Sequence, residues 1–218
     1  MPPRPAPSAR RVPAETVRPL RTAVLRPSWG PGRLATYPED DDAGTVHVAA
    51  TVGDAVGGVG TVYAEAPPGA HRGEIPAAAY APGAAWRLRG MATSDAARGT
   101  GLGRAVLEAC YAAARDGGGR FLWCNARLAA VPFYERLGMR AVGPEFDIPE
   151  IGPHYVMWAD LGGAGRPAGG GRGPPRPRAS ERGGGRPGPP RPCRTVARAG
   201  SPFDLACAPV LSGFPPPP

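Results

Sequence analysis

The segment Arg98-Gly99-Thr100-Gly101-Leu102-Gly103 holds the residue types that bind a phosphate. The start of a helix leaves backbone N–H groups without partners and carries a partial positive charge. Glycines there let the backbone approach an anion and take positive φ, and Arg98 adds a donor for charge-assisted hydrogen bonds. A strand before such a loop and a helix after it make a site for a phosphate or pyrophosphate. Three nucleotide motifs share this look and fail here. The dinucleotide fingerprint G-x-G-x-x-G needs glycine at 104, where Arg104 stands. The P-loop and the protein-kinase glycine loop each need a lysine. All 26 basic residues of this chain are arginine. What remains is Arg98-x-x-Gly101-x-Gly103.

The elements around the loop follow from hydrophobic periodicity. Residues 85–93 alternate as a strand, with an irregularity expected at Gly90. A helix from Leu102 to Arg115 carries an apolar stripe of Leu102, Val106, Ala109, Cys110 and Ala113. Phe121–Ala126 reads as a short buried strand, and Pro132 opens a helix that Gly138 stops. Upstream, Glu15–Arg26 has helical spacing, with Pro19 either in its first turn or kinking it. Residues 45–51 and 57–66 form a hairpin around Gly53-Asp54. Two final strands span Arg140–Ile148 and His154–Leu161. The run Glu39-Asp40-Asp41-Asp42 reads as a solvated face, and residues 67–84 as a long loop.

Composition divides the 218 residues unevenly. From residue 162 onward nine arginines face two acids, Glu181 and Asp204, whereas residues 1–161 hold 17 arginines and 16 acids. The net charge of +8 therefore belongs almost wholly to the tail. Residues 162–218 are Gly/Pro/Arg-rich and aperiodic, so a disordered tail is expected, with a Pro-rich disordered arm over residues 1–9 and one folded domain over 10–161. Nucleic acid is an expected partner only through the basic tail. No apolar run reaches the roughly 18–20 residues that cross a bilayer, no membrane partner is expected, and the N-terminus lacks an apolar leader core, so the expected location is cytoplasmic. The four cysteines show no C-x-x-C spacing; Cys110 and Cys124 read as core residues, and no metal site is expected.

With its flanking strand and helix, the loop resembles the pyrophosphate loop of the GNAT acetyltransferases. Met91-Ala92-Thr93 before Arg98–Gly103 is similar to that family's strand-plus-loop motif. Asn125 followed by Phe133-Tyr134-Glu135-Arg136-Leu137-Gly138-Met139 is similar to its N…FYERLGF segment, with Met139 in place of Phe. Leu20-Arg21…Val24-Leu25-Arg26-Pro27 and Gly152-Pro153-His154-Tyr155-Val156-Met157 are similar to a bacterial, actinobacterial-type branch. Asp95 stands where a proline is common. The resemblance covers about residues 10–161. It implies a mixed α/β (α+β) fold: a central, mostly antiparallel sheet of six or seven strands, splayed between the fourth and fifth, flanked by helices.

The resemblance further implies direct transfer of an acetyl group from acetyl-CoA to a primary amine, without an acyl-enzyme. Met91, Ala92 and Thr93 are expected to hold the pantetheine arm, Met91 and Thr93 through main-chain atoms. Arg98, Gly99, Thr100, Gly101, Leu102 and Gly103 are expected to hold the pyrophosphate. Asn125, read as ending the fifth strand, contacts either the pantetheine or the backbone. Tyr134 is the candidate general acid for the leaving thiolate and His154 the candidate base or proton relay. Glu145 and Asp147 are weaker base candidates. The acceptor, a small-molecule or peptide amine, and the choice between monomer and homodimer stay open. Two other readings remain beside this one: an acyl-CoA-binding sensor without turnover, and a tail that binds RNA or acidic partners.

Overall fold

The computed structural model describes residues 7–162. Seven strands and three helices follow in the order β1 (Ala9–Val12), α1 (Ala14–Leu25), β2 (Val46–Val52), β3 (Ala55–Ala64), β4 (Ala85–Thr93), α2 (Leu102–Asp116), β5 (Phe121–Arg127), α3 (Val131–Arg136), β6 (Arg140–Ile148) and β7 (Gly152–Asp160). They form one sheet in the order β1-β2-β3-β4-β5-β7-β6. Every neighbouring pair is antiparallel except β4 and β5. The expected architecture is therefore present.

The parallel β4–β5 pair is short. Only Ala85, Trp86 and Arg87 pair, with Phe121, Leu122 and Trp123. Beyond them the two strands separate, so their facing edges run unpaired through the middle of the sheet. A shift of register between β3 and β4, after Val59↔Ala92 and before Thr61↔Arg89, brackets Gly90. Gly90 has φ +63°, a conformation open to glycine. An extra residue flips the side-chain alternation that follows it. Leu88 faces the α2 side, and beyond the bulge Met91 faces that side again while Ala92 turns toward α1.

Each face of the sheet is covered by a different element. On one, α2 packs Leu102, Val106, Leu107 and Cys110 against Val48, Val62, Leu122 and Cys124. The glycines of β3 let it lie close: a Cβ on Gly60 would come within 2.9 Å of Cys110 Sγ, and one on Gly57 within 2.9 Å of Leu102 Cδ2. On the other face, Val17 of α1 packs on Ala49, Val59 and Ala92. Farther along that face, Phe121, Trp123, Val156 and Trp158 bury against Ile75 and Ala79 of the 67–84 connection.

Several expectations change. The sequence pattern gives no strand at Ala9–Val12, yet these residues pair with His47–Ala50, and the strand starts within the segment expected to be a disordered arm. Four residues with two arginines carry too little periodicity to read. Of the two placements expected for Pro19, the first turn is ruled out: it lies inside α1, where it removes one helical hydrogen bond. The acidic run is not a uniformly solvated face. Asp40 is fully buried against an equally buried Arg21, with Arg21 Nη1 donating to Asp40 Oδ1 at 2.9 Å. The expected tail lies outside the described residues.

Candidate active site

The separation of β4 and β5 opens a cleft of about 820 Å3. It passes through the sheet, so its wall is built from both faces. The α2 side contributes the glycine loop, Phe133 and Tyr134, and the α1 side contributes Tyr37, Arg127 and His154.

At one end the glycine loop forms the start of α2. Gly99 and Gly101 take φ +74° and +88°. The first helical bond closes from Ala105 N–H to the Gly101 carbonyl at 3.0 Å, so the amides of Leu102, Gly103 and Arg104 precede it and stay available to an anion. A Cβ at Gly103 would lie 3.3 Å from Thr93 Oγ1 and 3.4 Å from the Phe133 ring; glycine is what lets the helix start sit against β4 and α3. Arg98 lines the cleft while pairing with the exposed Asp95 at 2.9 Å. Two loop residues turn their side chains elsewhere: Leu102 buries its side chain in the core, and Thr100 donates its hydroxyl to the Ala97 carbonyl at 2.7 Å. Neither lines the cleft.

Along the walls, Met91, Ala92 and Thr93 lie on the β4 edge and Asn125 on β5. Asn125 does not end its strand; β5 runs on to Arg127. Its Oδ1 is buried and has no hydrogen-bond partner. A buried acceptor left unpaired costs about 1–3 kcal/mol, so this oxygen is placed for a donor that enters the cleft.

Tyr134 is held in α3 by the short Ala130–Leu137 turn of chain, with its ring edge-on to Phe133 at 5.2 Å. Its hydroxyl donates to Met91 Sδ at 3.5 Å, bringing it to β4 across the cleft. Burial, reinforced by the neighbouring Cys124 and Cys110, pushes this hydroxyl well above the ordinary phenol value of 10.0. It therefore stays protonated at neutral pH, the form a proton donor needs.

His154 sits on β7, opposite Arg127 of β5. Its Nδ1–H donates to the Gly152 carbonyl at 2.7 Å, which leaves Nε2 with the lone pair. Phe146 covers the ring at 5.9 Å. Glu145 and Asp147, by contrast, are exposed and do not line the cleft. Cys124 does line it, but burial pushes its thiol up to about 12, so it stays a thiol and not a nucleophile. Among the described residues no three acid, histidine or cysteine side chains cluster to hold a metal.

Sequence reasoning brought Met91–Thr93, the glycine loop, Asn125, Tyr134 and His154 to one place. It missed Tyr37, Arg87, Arg89 and Arg127, which complete the α1-side wall. The alternation of arginines along β4 was visible; its meaning depended on which face each one took.

Residues 14–139, more than half of the chain, match the Acetyltransferase (GNAT) family. The chain belongs to that family. An uncharacterized N-acetyltransferase of Bacillus subtilis, YitI, is 39% identical over 77 residues. That match spans 35% of this chain and 52% of the relative, about half its length. Among solved structures, an N-acetyltransferase from Lactobacillus plantarum superposes with a TM-score of 0.51 at 21% identity, over 71% of this chain and 99% of that one. The ribosomal-protein-S18-alanine N-acetyltransferase from Escherichia coli does so with a TM-score of 0.51 at 14% identity, over 73% and 96%. At such identities the two structures share this fold. Among the described residues no helix is long and apolar enough to cross a membrane.

Proposed function

We propose that this GNAT-family chain transfers an acetyl group from acetyl-CoA to a primary amine by direct attack, with both substrates held in the β4–β5 cleft, and that residues 7–162 form the catalytic unit. The observation that carries the reading is the cleft's construction: a helix-start anion cradle at one end, unpaired strand edges along it, a protonated tyrosine on one sheet face and a histidine with a free Nε2 on the other.

On this reading the amides at the start of α2, with Arg98, bind the pyrophosphate. The free edge of β4 at Met91–Thr93 and the unpaired Asn125 Oδ1 hold the pantetheine amides. Acetyl-CoA supplies the activated thioester. His154 Nε2 takes the proton that the ammonium must lose before its nitrogen can attack. A backbone N–H of the β4 edge faces the oxygen that gains charge. As the C–S bond breaks, the Tyr134 hydroxyl gives a proton to the departing thiolate, and the second proton shed by the attacking nitrogen as it becomes an amide restores that hydroxyl.

The test pairs calorimetry with a thiol-release assay over a broad amine panel. The expected result is acetyl-CoA binding by the wild type, release of free thiol only when an amine is present, and a His154→Gln variant that binds acetyl-CoA equally well yet releases thiol at least roughly tenfold more slowly. Tight binding with no release for any amine would instead identify an acyl-CoA sensor. Full activity in His154→Gln would remove the histidine from the mechanism.

A further inference from the structure

Seven arginines line the cleft, and no carboxylate does. Four of them already have a carboxylate partner. Arg87 pairs with Glu65 at 2.9 Å and Arg89 with Glu39 at 3.2 Å. Arg98 pairs with Asp95 at 2.9 Å and Arg104 with Glu108 at 2.8 Å, both at the glycine-loop end. Arg136 is exposed on α3. Arg26 and Arg127 are different. Among the described residues neither has a carboxylate partner, and both are partly buried.

These two guanidinium groups converge on one atom. Arg26 Nη1 donates to the Leu25 carbonyl at 2.8 Å and Arg127 Nη2 donates to the same oxygen at 3.0 Å. That carbonyl closes the C-terminus of α1, which bears a partial negative charge. With its two lone pairs that carbonyl satisfies one N–H of each guanidinium and leaves the other donors and both charges unmet, and the like charges oppose each other: burial and the neighbouring Arg26 together lower the affinity of Arg127 for its proton. Such a pair is short of one anion.

Its position says what that anion belongs to. Arg127 lies opposite His154 in the β5–β7 register, so their side chains leave the same face as direct neighbours, with Cβ atoms roughly 4.5–5.5 Å apart. The pair also borders a second chamber of about 410 Å3, lined in addition by Trp29 and Glu150, which shares Leu25, Arg26, Arg127 and Ile151 with the cleft. The glycine loop and its own arginines stand at the other end. The anion therefore enters from the α1 side, with the amine.

We propose that Arg26 and Arg127 form a clamp for a carboxylate of the acceptor, so that the amine acetylated is one bearing a carboxylate within a few atoms of its nitrogen. This rests on the acetyl-transfer reading above and narrows its acceptor. A carboxylate accepts two parallel bonds from guanidinium, cancels the repulsion between the two arginines, and sets the amino group beside His154. A free amino acid and a peptide beginning with an acidic residue offer the same chemistry.

Matched acceptors test it: an amino acid, its carboxamide, its decarboxylated amine, and two short peptides beginning with Asp or with Asn, each assayed by thiol release with saturating acetyl-CoA. The expected kcat/KM is at least roughly tenfold higher for the carboxylate than for the carboxamide, the difference lying in KM. The single substitutions Arg26→Gln and Arg127→Gln each shrink that ratio at least roughly fivefold, and Arg127→Lys, which keeps the charge without the fork, retains part of it. Preference for the Asp peptide over the Asn peptide, with free amino acids poor, assigns the carboxylate to a polypeptide; the reverse order assigns it to a free amino acid. Turnover that ignores the carboxylate overturns the clamp and leaves acetyl transfer standing. A carboxylate preference unchanged in the Gln variants overturns the assignment to this pair. Absence of acetyl-CoA binding in calorimetry overturns the underlying reading instead.

Discussion

Tyr134 combines three properties that separate chemistry from packing. Its ring is locked against Phe133, its hydroxyl has only the Met91 thioether as a partner, and burial holds that hydroxyl in its neutral form. A 3.5 Å bond to sulfur is weak, so removing the hydroxyl costs the fold little. Tyr134→Phe is therefore expected to lower kcat by about 10²-fold while the KM for acetyl-CoA and the melting temperature change little. Because the tyrosine's proton is lost only above its ordinary value of 10.0, any fall in rate between pH 8 and 10 belongs to another group and appears in wild type and variant alike. An unchanged kcat in stopped assays across that range would remove Tyr134 from the reaction. The residue could be singled out beforehand because it belongs to a motif of fixed spacing. Arg127 could not: an arginine at a strand end reads as an ordinary solvated charge, and its lack of a carboxylate partner exists only once β5, β7 and the end of α1 are assembled.

At the scale of elements, the shape of the cleft depends on how α1 grips β4. Arg21 of α1 lies under the bulge, where a Cβ on Gly90 would come within 2.5 Å of Arg21 Cδ. Asp40 holds the arginine there by two oxygens and also accepts from Tyr37 N–H at 3.0 Å. His47 Nε2–H donates to the Asp40 carbonyl at 2.8 Å and Thr61 Oγ1–H donates to its Nδ1 at 2.9 Å, tying the brace to β2 and β3. Tyr37 lies between Arg21 and Arg89, 4.3 Å and 3.9 Å from their guanidinium carbons. Burial alone raises the Asp40 carboxyl, but the bonds from Arg21 and Tyr37 outweigh it and leave it below its ordinary 3.8. A carboxyl depressed on folding stabilises the protein fully above the unfolded value and loses that contribution as pH falls through the folded one. Stability is thus expected to decline below about pH 4. Asp40→Asn strips the buried Arg21 of its counter-charge, with an expected loss of about 3–5 kcal/mol at pH 7 and a flatter acid limb in denaturant melts. An equal acid limb in both proteins would show that other carboxylates govern it. Strands β2 to β7 and all three helices were legible from local signals: apolar periodicity in α1, α2 and β4, a short continuous apolar run in β5, and the Pro132 and Gly138 boundaries of α3. The brace was not, since Asp40 sits in a run of four acids and only the chain's return past α1 selects which one is buried.

For the whole molecule, the question is what the strongly basic segment after the domain contributes. Every residue lining the cleft falls between Val24 and His154. The nine arginines and two acids from residue 162 onward carry nearly all the net charge, and a charge of that size acts on any polyanion through counterion release, steeply weakened by salt. The two effects come apart on truncation. A chain of residues 7–162 is expected to keep kcat/KM for acetyl-CoA within about twofold at moderate salt, since no wall of the site is removed. The full chain is expected to be retained on a polyanion column at low salt, and the truncated chain to lose that retention. The direction of any larger change is informative. A drop of tenfold or more would put a residue of the segment in the catalytic unit. A rise in kcat/KM that comes wholly from a lower KM for the acceptor would mean that Glu181 or Asp204 competes with the acceptor carboxylate for the Arg26–Arg127 pair, because those are the only acidic side chains the truncation deletes.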